Sequence, residues 1–140
     1  QAKNKFSREI IFSKKIFLLI PPPQISDISV LHKICDFYKK IYLFSQKIDK
    51  KNKFGIFAKI ENICLDAIIL ILEARFEIKI YKIKPLKSAR TKIEILKRLI
   101  RISWELKIIE DKKYIDLESD LIEISKEINN WINSLTKIGN

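Results

Sequence analysis

The chain has 140 residues, with 28 Lys plus Arg against 17 Asp plus Glu, and so carries a formal charge of +11. At that length it fits one domain, and with 47% hydrophobic residues it can bury roughly 68% of the surface its unfolded form exposes, which excludes disorder over most of its length. Two Gly and four Pro are too few turn formers for a many-stranded sandwich or barrel, while two cysteines and one histidine exclude both a disulfide framework and a Cys/His zinc site.

Residues 1–24 form a basic, uneven stretch that ends in Pro21, Pro22 and Pro23, where any helix must stop. Its apolar run, Ile16 to Ile20, is far shorter than the roughly 20 residues of a membrane span and lacks the flanks of a secretory core. The segment is expected to be a poorly ordered tail or extension. The absence of Met, even at position 1, points to a processed or trimmed chain.

Residues 25–140 are expected to form one helical domain, with breaks near residues 49–55, 81–85 and 110–113. At about 100° per residue, the first segment (28–48) places Val30, Leu31, Ile34, Phe37, Tyr38, Ile41, Phe44 and Ile48 on one face. Lys33, Lys40 and Lys47 line the other side at spacing seven, and His32 lies on the polar side. The basic break that follows, with Lys50, Lys51 and Lys53, ends at Gly55 and suits a loop. In the second segment (56–80), Lys59, Asn62, Asp66, Glu73 and Glu77 form a polar stripe only about 60° wide. Most of the remaining circumference is apolar, more than one neighbouring helix face can cover, so a subunit interface is expected around Leu70 and Ile71. Glu61, Arg75 and Lys79 interrupt the apolar side and are expected to find partners across that interface.

The third segment runs from Pro85, tolerated in a first helical turn, to about Ile109. Ile93, Leu96, Leu99, Ile100, Ser103 and Trp104 mark its inner arc, and Lys87, Arg90, Lys97, Arg98 and Arg101 share an arc of about 100°. The fourth segment (114–136) carries the stripe Leu117, Leu121, Ile124, Ile128, Trp131 and Leu135. Its carboxylates Asp116, Glu118, Asp120, Glu123 and Glu127 read as a solvated face. Short connections make consecutive helices antiparallel neighbours, which predicts an all-α, up-down-up-down antiparallel four-helix bundle.

Catalysis is not expected. The single histidine has no nucleophile pattern around it, the two glycines are isolated and form no phosphate loop, and the carboxylates are not a sheltered pair. No cofactor or metal is called for, Cys35 and Cys64 read as buried thiols, and a reduced cytoplasmic compartment is the simplest setting. Charge is distributed unevenly: +4 over residues 1–24, +4 over 25–54, zero over 55–83, +6 over 84–113 and −3 over 114–140. A basic face for nucleic-acid phosphates is therefore expected, with Lys97, Arg98 and Arg101 foremost, Lys87 and Arg90 beside them, and Lys33, Lys40, Lys47, Lys50, Lys51 and Lys53 as added point charges. An ordinary solvated face, or a scaffold that recognises an acidic protein, fits the same charges. A membrane surface fits less well, because the apolar faces are committed to the bundle.

Three stretches carry a resemblance to a known family. Lys53-Phe54-Gly55-Ile56-Phe57-Ala58-Lys59-Ile60-Glu61, with Ile71-Leu72-Glu73-Ala74-Arg75-Phe76, resembles the second helix of the accessory variability determinant proteins of diversity-generating retroelements. Ile95-Leu96-Lys97-Arg98-Leu99-Ile100-Arg101, with Glu105-Leu106-Lys107-Ile108-Ile109, resembles the third. Tyr114, Glu123-Ile124 and Asn130-Trp131-Ile132-Asn133-Ser134 resemble the closing helix, although Asn133 stands where a Lys is common. The likeness covers about residues 26–136. A sibling family, the four-helix proteins associated with intervening sequences of ribosomal RNA genes, usually has small residues and a Gly where this chain has the bulky run Ala67 to Ala74. The resemblance implies a noncatalytic, basic protomer assembled as a homopentameric ring. It further implies binding to RNA and DNA and a partnership with the retroelement reverse transcriptase during mutagenic copying of a template repeat.

Overall fold

The computed structural model describes residues 25–137, with side chains from Ser29 onward; the expectation of a poorly ordered tail falls on residues outside that range. The described residues are helical and contain no strand. Four long helices are present: α1 (Ile25–Ser45), α3 (Ile56–Phe76), α4 (Ile83–Glu105) and α5 (Asp111–Lys137). A short helix α2 (Lys50–Phe54) lies between α1 and α3, and a single 3-10 turn, Lys79–Tyr81, joins α3 to α4.

The helices close a ring in which α1 packs on α3 and α5, and α4 packs on the same two. Helices α1 and α4 are therefore diagonal. Each contributes one stripe to a common core: Val30, Ile34, Phe37 and Ile41 from α1; Phe57, Ile60, Cys64, Ala67 and Ile71 from α3; Leu86, Ile93, Leu96 and Ile100 from α4; Leu117, Leu121, Ile124 and Ile128 from α5. Burying each large aliphatic side chain contributes about 1.5–3 kcal/mol, so these stripes dominate the stability. Phe44 meets Phe57 at 5.4 Å between centroids near one end of the core. Trp104 stacks on Tyr114 at 4.7 Å at the α4–α5 turn, where its indole donates to Asp111 Oδ1 at 2.7 Å.

Helix boundaries differ from expectation by local chemistry. The basic break is not all loop, because the Asp49 side chain accepts from Asn52 N at 3.3 Å and starts α2. The second predicted helix ends at Phe76, four residues early. There Glu77 turns extended, and the Lys82 ammonium donates to the terminal carbonyls of Ala74 and Arg75 at 2.7 and 3.0 Å. A cation at a helix C-terminus satisfies orphan carbonyls and the dipole together. At Gly55 the chain turns from α2 into α3 so tightly that a Cβ would lie 2.8 Å from the Lys51 carbonyl oxygen. After α4, Lys107 takes φ 61°, and its N–H donates to Trp104 O while Ile108 N donates to Ser103 O, both at 2.9 Å. That is a Schellman closure, and a lysine holds the left-handed position that glycine normally fills.

An ionic seam joins α1 to α5. Asp116, Asp120, Glu123 and Glu127, at spacings of four, three and four, occupy one side of α5, facing α1. Lys33 Nζ reaches Glu123 Oε1 at 2.6 Å and Glu127 Oε1 at 2.7 Å; Lys40 Nζ reaches Asp120 at 2.7 Å and Asp116 at 3.2 Å. Ser29 also donates to Glu127 Oε1, at 2.9 Å. Four of the five carboxylates expected to be merely solvated are thus partners of lysines on the neighbouring helix; the fifth, Glu118, lies beside Tyr114 instead. Donating hydrogen bonds to the seam carboxylates raises the Lys33 and Lys40 pKa values, and Lys33 lowers that of Glu123.

The turns and the seam each make a prediction. Lys107→Gly should raise the melting temperature, by up to about 1 kcal/mol of stability, by relieving the left-handed residue, whereas Gly55→Ala should lower it by more than about 1 kcal/mol; calorimetry on both variants decides. The second concerns pH. Because Glu123 titrates lower folded than unfolded, its contribution is present above the unfolded carboxylate value of about 4.3 and is lost as pH falls through the folded one. Glu123→Gln should therefore shrink the loss of thermal stability between about pH 5 and pH 3; an unchanged acid slope would show that the pair does not couple to folding.

Candidate nucleic-acid interface

The cations singled out in the sequence fall into three sets. Lys33 and Lys40 are in the seam, held by four α5 carboxylates, so they are not free point charges for phosphate. Their helix is diagonal to α4, which means the two most basic segments do not share one face. The signal for this pairing is present in the sequence: lysines seven apart on one helix match carboxylate pairs seven apart on another.

The second set lies on α4. Lys87 and Arg98 are exposed and, among the described residues, have no carboxylate partner. Arg90 donates to the neutral Asn129 side chain at 3.2 Å. Lys97 pairs with Glu94 at 2.9 Å, and Arg101, which stays exposed, pairs with Glu105 at 3.0 Å through Nε. The α5 side that flanks this arc presents Ser125, Asn129 and one carboxylate, Glu118 beside Tyr114, while the four seam carboxylates are turned to α1. Helix α4 therefore keeps much of its positive charge.

The third set is Lys47, Lys50, Lys51 and Lys53, around α2 at the end of the bundle. Among the described residues no carboxylate is within ion-pair distance of any of them, and Lys53 contacts only the neutral Gln46 side chain, at 3.5 Å, and the Phe54 ring. The α4–α5 turn at this end has the opposite character. An open groove of about 580 Å³ there is flanked by Glu105, Glu110 and Asp111 as well as Lys107, which disfavours phosphate.

The residues expected at a subunit interface also separate. Ile71 is buried in the bundle core and Leu70 packs partly against it. Glu61 has a partner inside the chain: Ser45 Oγ donates to its Oε1 at 2.7 Å. Arg75 lies over the Phe76 ring at 5.8 Å, and Lys79 is exposed in the 3-10 turn. The apolar surface of α3 that the bundle leaves uncovered is instead Leu65 (40% exposed), Ile69 (54%) and Phe76 (59%). With the half-buried Leu72 they form a stripe at spacings of four, three and four, displaced one step from the residues expected.

His32 is exposed. Cys64 is buried and Cys35 half-buried, and desolvation pushes both thiols up, away from the thiolate form. No described helix is long and apolar enough to cross a membrane.

A Bacteroides thetaiotaomicron protein of unknown function from the S23 ribosomal protein family has a solved structure of the same fold. It matches with a TM-score of 0.71 and 19% sequence identity, over 78% of this chain and 99% of its own. At that identity the likeness concerns the fold alone. No curated protein matches the chain. The bAvd-like family profile matches residues 28–135, from the first turn of α1 to the last of α5. With that match spanning most of the described residues and holding all three stretches of resemblance, the chain belongs to the bAvd-like family of accessory variability determinants.

Proposed function

We propose that this protein is a noncatalytic accessory protein of a diversity-generating retroelement, binding RNA and DNA and the element's reverse transcriptase while a template repeat is copied mutagenically. Family membership supports the accessory role. The observation that carries nucleic-acid binding is the distribution of charge: four α5 carboxylates are engaged by α1, so the cations of α4 and of the α2 end have few acidic partners. Such groups neutralise backbone phosphates through counterion release and attract strands irrespective of sequence. A patch of the same sign also suits an acidic surface on a polymerase.

The proposed assembly is a homopentameric ring built on the exposed stripe of α3. Ile69→Asp should lower the solution mass measured by light scattering while leaving helicity intact. Ile71→Asp should unfold the chain, because it places an unpaired charge in the core. A variant at Ile69 with unchanged mass would remove that surface from the interface.

Binding is tested on single- and double-stranded RNA and DNA across a salt series. Reversing Arg98 with Lys50 and Lys51 should weaken all four ligands and reduce the salt slope by about 0.9 on duplex DNA for each phosphate no longer neutralised, whereas Glu123→Lys should not weaken them. Equal affinities for all variants would overturn the site. Absence of binding, with retention of an acidic protein, would instead favour a helical interaction scaffold.

A further inference from the structure

Phe54, the last residue of α2, is 72% exposed. A single exposed apolar side chain is ordinary, but its setting is not. Lys50, Lys51 and Lys53 share its short helix and Lys47 precedes it, so four lysines accompany one aromatic ring. Lys53 Nζ stands 5.6 Å from the ring centroid. Asp49 is the only carboxylate between residues 46 and 60, and its side chain is engaged with Asn52 N at 3.3 Å.

The core does not need this ring. Three residues on, Phe57 fills the place against Phe44. Phe54 is held outward by the tight approach at Gly55, which sets α2 against the start of α3. A two-fold contact of this patch with itself is disfavoured, because the four lysines would meet like charge; a heterologous ring contact would set a different surface against it, which the solution mass measured below distinguishes.

We infer that the α2 end is a single-strand site, in which Phe54 stacks on an unpaired nucleobase while Lys47, Lys50, Lys51 and Lys53 take the flanking phosphates. The inference rests on the nucleic-acid reading above and deepens it. A ring flanked by cations suits a single strand, whose base faces are open; in a duplex those faces are covered by neighbouring pairs and only the lysines would engage. Stacking is also indifferent to base identity, in keeping with a site that offers no base-edge readout.

The test compares two strands of about 12 nucleotides, one carrying bases and one abasic throughout, bound to the full chain at fixed salt. Wild type should prefer the base-carrying strand. Phe54→Ala and Phe54→Leu should each reduce that binding by about 5- to 150-fold, the range for removal of one stacked base, with the abasic strand and the solution mass unchanged. The leucine variant keeps apolar bulk but has no π-face, so wild-type affinity with leucine would overturn stacking. Equal wild-type binding to both strands would overturn it too, while leaving phosphate binding standing. A fall in mass in the Phe54 variants would reassign that residue to a subunit contact. Failure of wild type to bind either strand would remove the nucleic-acid reading itself.

Discussion

The structure depends on one constraint: four amphipathic helices must bury one stripe each in a common core, and the ring order α1, α3, α4, α5 satisfies all four at once. Once that order is set, each helix has two flanking arcs with assigned neighbours and one open side. The side of α5 beside α1 meets Lys33 and Lys40, and the side beside α4 meets Arg90. Placing all four seam carboxylates on the first of these sides has a consequence for the whole surface. It neutralises α1 locally and leaves α4 basic. Ion pairs that keep partial contact with solvent, as these do, contribute modestly to stability, but here they sort the positive charge into regions that retain it and one that does not.

The same constraint explains α3. Only about half its apolar residues face the core, because a helix in a four-membered ring has two neighbours and one side open. Leu65, Ile69, Leu72 and Phe76 lie on that open side, and the exposed Ile78, Ile80 and Tyr81 follow directly beyond the helix. An apolar stripe of this length on an outer surface is the kind of feature that partners cover. The open stripe runs from Leu65 to Phe76 and the basic α2 end lies before Gly55, so the proposed assembly and the proposed strand site use different residues.

Much of this is legible in the chain. The stripes of α1, α4 and α5 can be placed from sequence because periodicity at 3.6 residues is a local property, and the residues that read as inward are buried or half-buried. The second helix reads as apolar nearly all round, which is true of its sequence, but Ile71 belongs to the core and Ile69 to the surface. Two positions apart on a helix is about 200°, so a stripe broad enough to include both cannot say which side the neighbours take. Glu61 reads as needing a partner in another subunit, and Ser45 supplies one from α1. That partner is hidden in the sequence because α1 ends earlier than its apolar pattern, bringing Ser45 over the start of α3.

The sequence by itself determined the number of long helices, their inward faces, the uneven charge along the chain and the residues that carry the family resemblance. All of these follow from the order of residue types within about one or two helical turns. Only the tertiary structure decided which charges remain free, because that depends on which helix sides adjoin: α1 meets four carboxylates of α5, and α4 meets a side with Ser125, Asn129 and the single carboxylate Glu118. It also decided that Phe54 stands outside the core, since one tight turn at Gly55 sends Phe57 inward and leaves Phe54 among its lysines.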